Sequence, residues 1–214
     1  MGEKPVTQAK QRLLERIKRA GSATTSELAR EQGLTNVAVR QHLRALEANG
    51  LVEQKTPAAG GRGRPAMHWS LTALASSLFP DRHAELAVGL IRALGNAVGE
   101  EGLQRVIDER ATEQVSAYAQ LIPSPPASLR VRVEALANQR TAEGYMAEVV
   151  AEGDESYLLT EHHCPICDAA KTCMGLCTAE LDVFRRALGS GVHVERVKHL
   201  LTGDSCCTYR IHQE

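Results

Sequence analysis

Thr35-Asn36-Val37-Ala38-Val39-Arg40-Gln41-His42-Leu43-Arg44-Ala45-Leu46-Glu47-Ala48-Asn49 carries two patterns at once. Val39, Leu43 and Leu46 recur at helical spacing and form one apolar stripe. Asn36, Val37, Arg40, Gln41 and Arg44 are left on the other face. Thr35 is placed to cap the helix, its hydroxyl accepting a free backbone N–H. An arginine and a glutamine near the start of such a helix suit base edges, Arg for guanine and Gln for adenine. Arg44, one turn later, is in reach of a base or a phosphate. Taken alone, the same residues equally describe a solvated helix face.

The flanks decide between these readings. Upstream, Gln8–Ala20 puts Leu13, Leu14 and Ile17 on one face, and Thr25-Ser26-Glu27-Leu28 opens a second helix that Gly33 ends. Downstream, residues 51–55 and 67–71 read as strands joined by Gly60-Gly61-Arg62-Gly63-Arg64-Pro65. Glycines allow close backbone approach to a duplex, and Arg62 and Arg64 supply charge for its phosphates or minor groove. Two helices, a tight glycine turn, a reading helix and a basic hairpin make a winged helix-turn-helix over residues 1–75. Its candidate DNA-binding residues are Thr35, Asn36, Val37, Arg40, Gln41, Arg44, Arg62 and Arg64.

Charge agrees with this. Of the 214 residues, the first seventy hold twelve Lys or Arg against six Asp or Glu, and the remainder holds thirteen against twenty. A basic head on an acidic chain points to a polyanionic partner. Aromatics make up 3%, so the cores must be aliphatic. No apolar run reaches the roughly 18–20 residues that span a bilayer. The N-terminus leads into a charged helix rather than a signal-type segment, and a cytoplasmic location is expected.

The remaining sequence reads as a helical linker or dimerisation region (76–122), then a cysteine-rich α+β domain (123–214). In the first, Leu86, Leu90, Ile91, Leu94 and Val98 keep helical spacing; Pro123-Ser124-Pro125-Pro126 marks the boundary. In the second, a helix near 127–141, strands near 143–150 and 156–162, a cysteine loop, a helix near 178–189 and two strands follow. The expected fold class is α+β: a winged helix-turn-helix, central helices, and a sensor domain with a small antiparallel sheet.

All six cysteines fall at or after residue 164. Cys164, Cys167, Cys173 and Cys177 are separated by two, five and three residues, and Cys206 and Cys207 follow. In a cytosolic chain such clustering favours metal or redox chemistry over disulfides, and thiolates select zinc, copper(I) or iron–sulfur clusters. The spacing fits neither two zinc knuckles nor a bacterial ferredoxin loop. In the last strand Cys207, Tyr209 and Ile211 share one face and Cys206, Thr208, Arg210 and His212 the other. The first face reads as core, so Cys207 is expected to be a buried small residue and Cys206 the ligand. His162 and His163 read as a solvated pair.

Several of these stretches together resemble the SufR-type iron–sulfur repressors. The resemblance runs through Val39-Arg40-Gln41-His42-Leu43, the Gly60–Pro65 segment, Leu78-Phe79-Pro80-Asp81-Arg82 and Gly203-Asp204-Ser205-Cys206-Cys207-Thr208-Tyr209-Arg210-Ile211. The family's cysteines are separated by twelve, thirteen and fourteen residues. Laid on this chain from Cys164, that ruler falls on Cys177, Gly191 and Cys206. The resemblance implies that Cys164, Cys177 and Cys206 bind an iron–sulfur cluster, 4Fe–4S or else 2Fe–2S. With glycine at 191 the fourth ligand is open, and Cys167 and Cys173 are the spare thiols. It further implies a homodimer binding double-stranded operator DNA as a repressor. Two other readings share these residues: a zinc- or thiol-switched regulator with the same head, and an iron–sulfur electron carrier or enzyme. A Ser/His/Asp set, a phosphate loop and a radical-enzyme cysteine loop are all absent from the sequence, so a non-enzyme is expected.

Overall fold

The structure, a computed structural model, describes residues 7–55, 67–153 and 155–213. The fold is α+β, and the chain divides into two compact units between Asp81 and Arg82.

In the first unit, helices α1 (Gln8–Ala20), α2 (Thr25–Gln32) and α3 (Asn36–Ala48) pack with strands β1 (Ala23–Thr24), β2 (Val52–Lys55) and β3 (His68–Leu71). The strands form an antiparallel sheet in the order β1-β3-β2. Local signals bound α2 and open α3. Thr24 and Glu27 form a reciprocal capping box on α2, Gly33 ends that helix at φ 65°, and Thr35 accepts the Ala38 N–H at 3.2 Å to open α3. Leu13, Leu14, Ile17, Leu28, Val39, Leu43 and Leu46 are fully buried and pack with Trp69. Strand β1 is an addition to the sequence reading, being two residues long and without a pattern of its own.

The second unit begins with α4 (His83–Tyr118), which breaks at Gly99 (φ 74°, ψ 176°), a conformation that favours glycine. The two halves lie against each other. Ile91 and Leu94 from the first, and Leu103 and Ile107 from the second, line one apolar cavity of about 270 Å³. Helix α5 (Leu129–Ala142) leads into β4 (Ala147–Gly153) and β5 (Ser156–Glu161). Then α6 (Cys167–Thr172) and α7 (Gly175–Leu188) precede β6 (Val192–Lys198) and β7 (Cys207–Gln213). The sheet is antiparallel in the order β4-β5-β7-β6. Its Tyr157, Leu159, Val194, Tyr209 and Ile211 pack in one core with Ile107, Tyr118, Ile122, Leu129, Val133 and Phe184.

That core differs from the sequence reading in two ways. Residues on both sides of the proline segment share it, so 83–122 and 127–213 form one unit rather than a linker followed by a domain. The cysteine segment is largely helical, with Cys167 opening α6 and Cys177 in the first turn of α7.

Candidate functional site

Two sites emerge, one in each unit. In the first, Thr35, Asn36, Val37, Arg40, Gln41 and Arg44 are all exposed along α3, while the stripe that packs α3 inward is fully buried. Val37 is 64% exposed. Arg62 and Arg64 lie in 56–66, outside the described residues.

The second candidate site is the cysteine-bearing region on the helix-covered face of the second sheet. The backbone pairs of β5 extend past Glu161, with the His163 N–H donating to Tyr145 O, so Cys164 leaves the sheet at this edge. Cys177 is buried in the first turn of α7, which lies on the same face. Across the sheet Glu161 pairs with Cys207, the first residue of β7. The turn between β6 and β7 is fastened by Asp204 accepting the His199 N–H at 2.7 Å, and it presents the Leu200 N–H to Cys207 Sγ at 3.5 Å.

Cys167 and Cys207 act electrostatically on both Cys164 and Cys177. Burial pushes Cys164 up to about 12; the Ile166 amide opposes this, and Glu180, Cys167 and Cys207 add to it. Burial likewise raises Cys177 to about 11, against the Arg196 charge, with Glu180, Cys207 and Cys167 contributing. Cys207 is raised by burial against the Leu200 amide and Arg196. Burial thus favours the protonated thiol at Cys164, Cys177 and Cys207, and a metal centre would have to deprotonate them on binding.

Cys206 immediately precedes β7. Its Sγ lies 3.7 Å from Thr208 Oγ1 and 4.0 Å from Ser205 Oγ. The parity read from the sequence holds, since Tyr209 and Ile211 are buried with Phe184 against the helices. What strand parity alone misses is that the cysteine-bearing helices cover that same face. Cys207 packs against the buried core on that face.

Two other expectations change for geometric reasons. Gly191 sits beside Gln213, at the opposite end of the β6–β7 ladder from Cys207. Six strand residues at about 3.3 Å each put it roughly 20 Å from the pocket, so a ligand there would be out of reach. Cys173 lines the apolar cavity with Ile166, Ala169 and Leu176 against α4. His162 is exposed and pairs with Glu148 at 3.1 Å.

Sequence reasoning missed the charged groups around the pocket. Arg140 is fully buried, its Nε 2.6 Å from Glu161 and its Nη2 2.9 Å from Glu180. Tyr145 OH donates to Glu180 at 2.6 Å, and Tyr118 OH to Glu143 at 2.7 Å. Burial alone would lower the Arg140 pKa; Glu161 and Glu180 reverse this and raise it. Arg196 donates from Nη2 to Cys177 O at 2.5 Å and to Tyr209 OH at 3.3 Å.

Among the described residues, no three of His, Cys, Asp or Glu are grouped closely enough to hold a single metal ion. No helix among the described residues is long and apolar enough to cross a membrane.

Residues 11–55 match the family of helix-turn-helix domains. No curated protein matches the chain. A cysteine-to-serine mutant of ZitR from Lactococcus lactis is similar at 20% identity, over 55% of this chain and 79% of that one, with a TM-score of 0.33. The adhesin competence repressor AdcR from Streptococcus pyogenes is similar at 16% identity, over 50% and 78%, with a TM-score of 0.32. Identities and scores this low say nothing of what this chain binds. The first unit is a helix-turn-helix domain with the strands of a winged helix.

Proposed function

We propose that the chain is a transcriptional regulator that binds operator DNA as a homodimer and whose second unit holds an iron–sulfur cluster on Cys164, Cys167, Cys177 and Cys207. What supports this reading is that Cys167 and Cys207 act electrostatically on both Cys164 and Cys177, bringing thiols from the β5 exit, α6, α7 and β7 into one region of the second unit. The donor set is all sulfur, which suits a cluster. Thiolates around a lone zinc stand about 3.8 Å apart, as tetrahedral Zn–S bonds of about 2.3 Å require.

When bound, the cluster supplies a cross-link that iron supply and oxidants can break. The chain's own residues do the rest. Cys207 fixes the end of β7, Cys177 fixes α7, and Cys164 and Cys167 fix the segment between β5 and α6. Helix α4 packs on both α6 and α7 and follows directly from the head in the chain. Its first half leaves Leu86, Leu90, Leu94 and Val98 on the surface, the first at 60% exposure. A second copy of the chain covers this stripe in our reading, and the pair presents two α3 helices to half-sites about 34–36 Å apart. Cluster occupancy then alters DNA affinity through α4, and the coupling is reciprocal. Resemblance favours repression by the loaded dimer; we further propose a cytoplasmic location and no enzymatic activity.

The test is operator affinity of oxygen-protected protein before and after iron chelation, with the metal content measured alongside. Iron-loaded protein whose affinity changes on chelation supports the reading. Colourless, zinc-loaded protein, or equal affinity in both states, contradicts it.

A further inference from the structure

The face of the second sheet opposite the helices carries a histidine pair that the proposed function does not use. His193 of β6 and His212 of β7 are direct partners in the antiparallel ladder. Strand alternation turns both away from Val194 and Ile211, which are buried in the core. The two rings approach to 4.9 Å between centroids, with an interplanar angle of 39°. His193 is exposed and His212 half-buried, so an ion from solution can reach the pair. Two imidazoles sharing one ion through metal–nitrogen bonds of about 2.0–2.1 Å have centroids roughly 4.5–5.2 Å apart. The observed separation already meets that requirement. His212 Nδ1 is also buried with no hydrogen-bond partner among the described residues.

The charges around the pair decide which ion suits it. Two residues along the strands, on the same face, Arg210 is held by Glu195 at 2.8 Å and by Glu152 at 2.8 Å and 3.2 Å. From α7, Arg185 and Arg186 lie along the edge of β6, Arg185 donating to Val194 O and Arg186 pairing with Asp182. Taken together these six groups balance, so no general attraction for cations exists here and the ring nitrogens must supply the binding. Magnesium and calcium take oxygen ligands, whereas imidazole suits zinc, copper and nickel. We propose that His193 and His212 form a two-histidine site for a divalent transition-metal ion, its remaining positions open to water. Bound there, the ion staples the edge strand β6 to β7. The pair lies at the far end of this ladder from Cys207 and is independent of the cluster reading.

The experiment uses the full-length protein with nitrogen-15-labelled histidines, titrated with zinc chloride and followed by its ring-nitrogen resonances. These signals report imidazole ligation whatever zinc the cysteines take up. Both rings are expected to respond together, on one saturation curve. In His193→Ala, and likewise in His212→Ala, half-saturation of the remaining ring is expected to need at least about tenfold more zinc, because the second ligand no longer acts at high effective concentration. Magnesium chloride is expected to move neither ring. Rings that do not respond, that respond at different zinc concentrations, or that are indifferent to loss of the partner overturn the proposal and leave stacked side chains only. An equal response to magnesium overturns it as well. Should His212→Ala fail to fold, the exposed His193→Ala decides alone.

Discussion

Glu161 faces Cys207 across the β5–β7 ladder, and the same carboxylate is gripped by the fully buried Arg140 at 2.6 Å. A sheet residue of the thiol pocket is thus one step from an ionic hub that also holds Glu180, on the turn of α7 after Cys177. Tyr118 at the end of α4 joins the hub through Glu143 and Arg140 Nη1. Four elements that carry or support the pocket meet at one guanidinium.

Removing that guanidinium leaves Glu161 and Glu180 buried without their cation. Arg140→Met is expected to cost about 3–5 kcal/mol of stability in the second unit, the range for breaking a buried ion pair by deleting one partner. Urea unfolding followed by far-ultraviolet circular dichroism measures it. A loss below about 1 kcal/mol, the usual worth of a surface pair, would show that the hub is solvated.

The exposed face of α3 makes a separable prediction. Arg40→Ala is expected to relax the preference for one base pair by about 1–3 kcal/mol. Substituting Arg62 or Arg64, if they meet phosphates, should weaken binding to all sequences alike and flatten the salt dependence. Electrophoretic shift assays on matched and single-mismatch duplexes, repeated at two salt concentrations, distinguish the two patterns.

The surface stripe on the first half of α4 concerns assembly. Leu90 is 55% exposed between Leu86 and Leu94, so Leu90→Asp costs the isolated chain little but places a charge in the interface we propose. Sedimentation should show a monomer with an intact circular dichroism spectrum, and affinity for a two-half-site operator should fall at least tenfold. A variant that stays dimeric places the interface elsewhere.

The head was legible because its signals are local. Thr35, Gly33 and the Val39–Leu43–Leu46 stripe each act within a turn or two of themselves. The break in α4 was not, because Gly99 sits inside an apolar pattern that runs straight through it and only its backbone angles reveal the reversal. Strand β4 starts later than its pattern suggested, since Gly144 (φ 94°) and Met146 (φ 52°) turn the chain first. Arg140 reads as an ordinary polar helix residue until Glu161 and Glu180, from 21 and 40 residues away, meet it. In β7 the alternation was readable. Which face the cysteine helices would cover was not, as that depends on a packing no short stretch encodes.

The most direct test of the central claim is iron and sulfide analysis of oxygen-protected wild type, Cys206→Ser and Cys207→Ser. The account predicts iron and sulfide in the wild type, their retention in Cys206→Ser and their loss in Cys207→Ser. Iron-free wild type, or a cluster that survives in Cys207→Ser and disappears from Cys206→Ser, would contradict it.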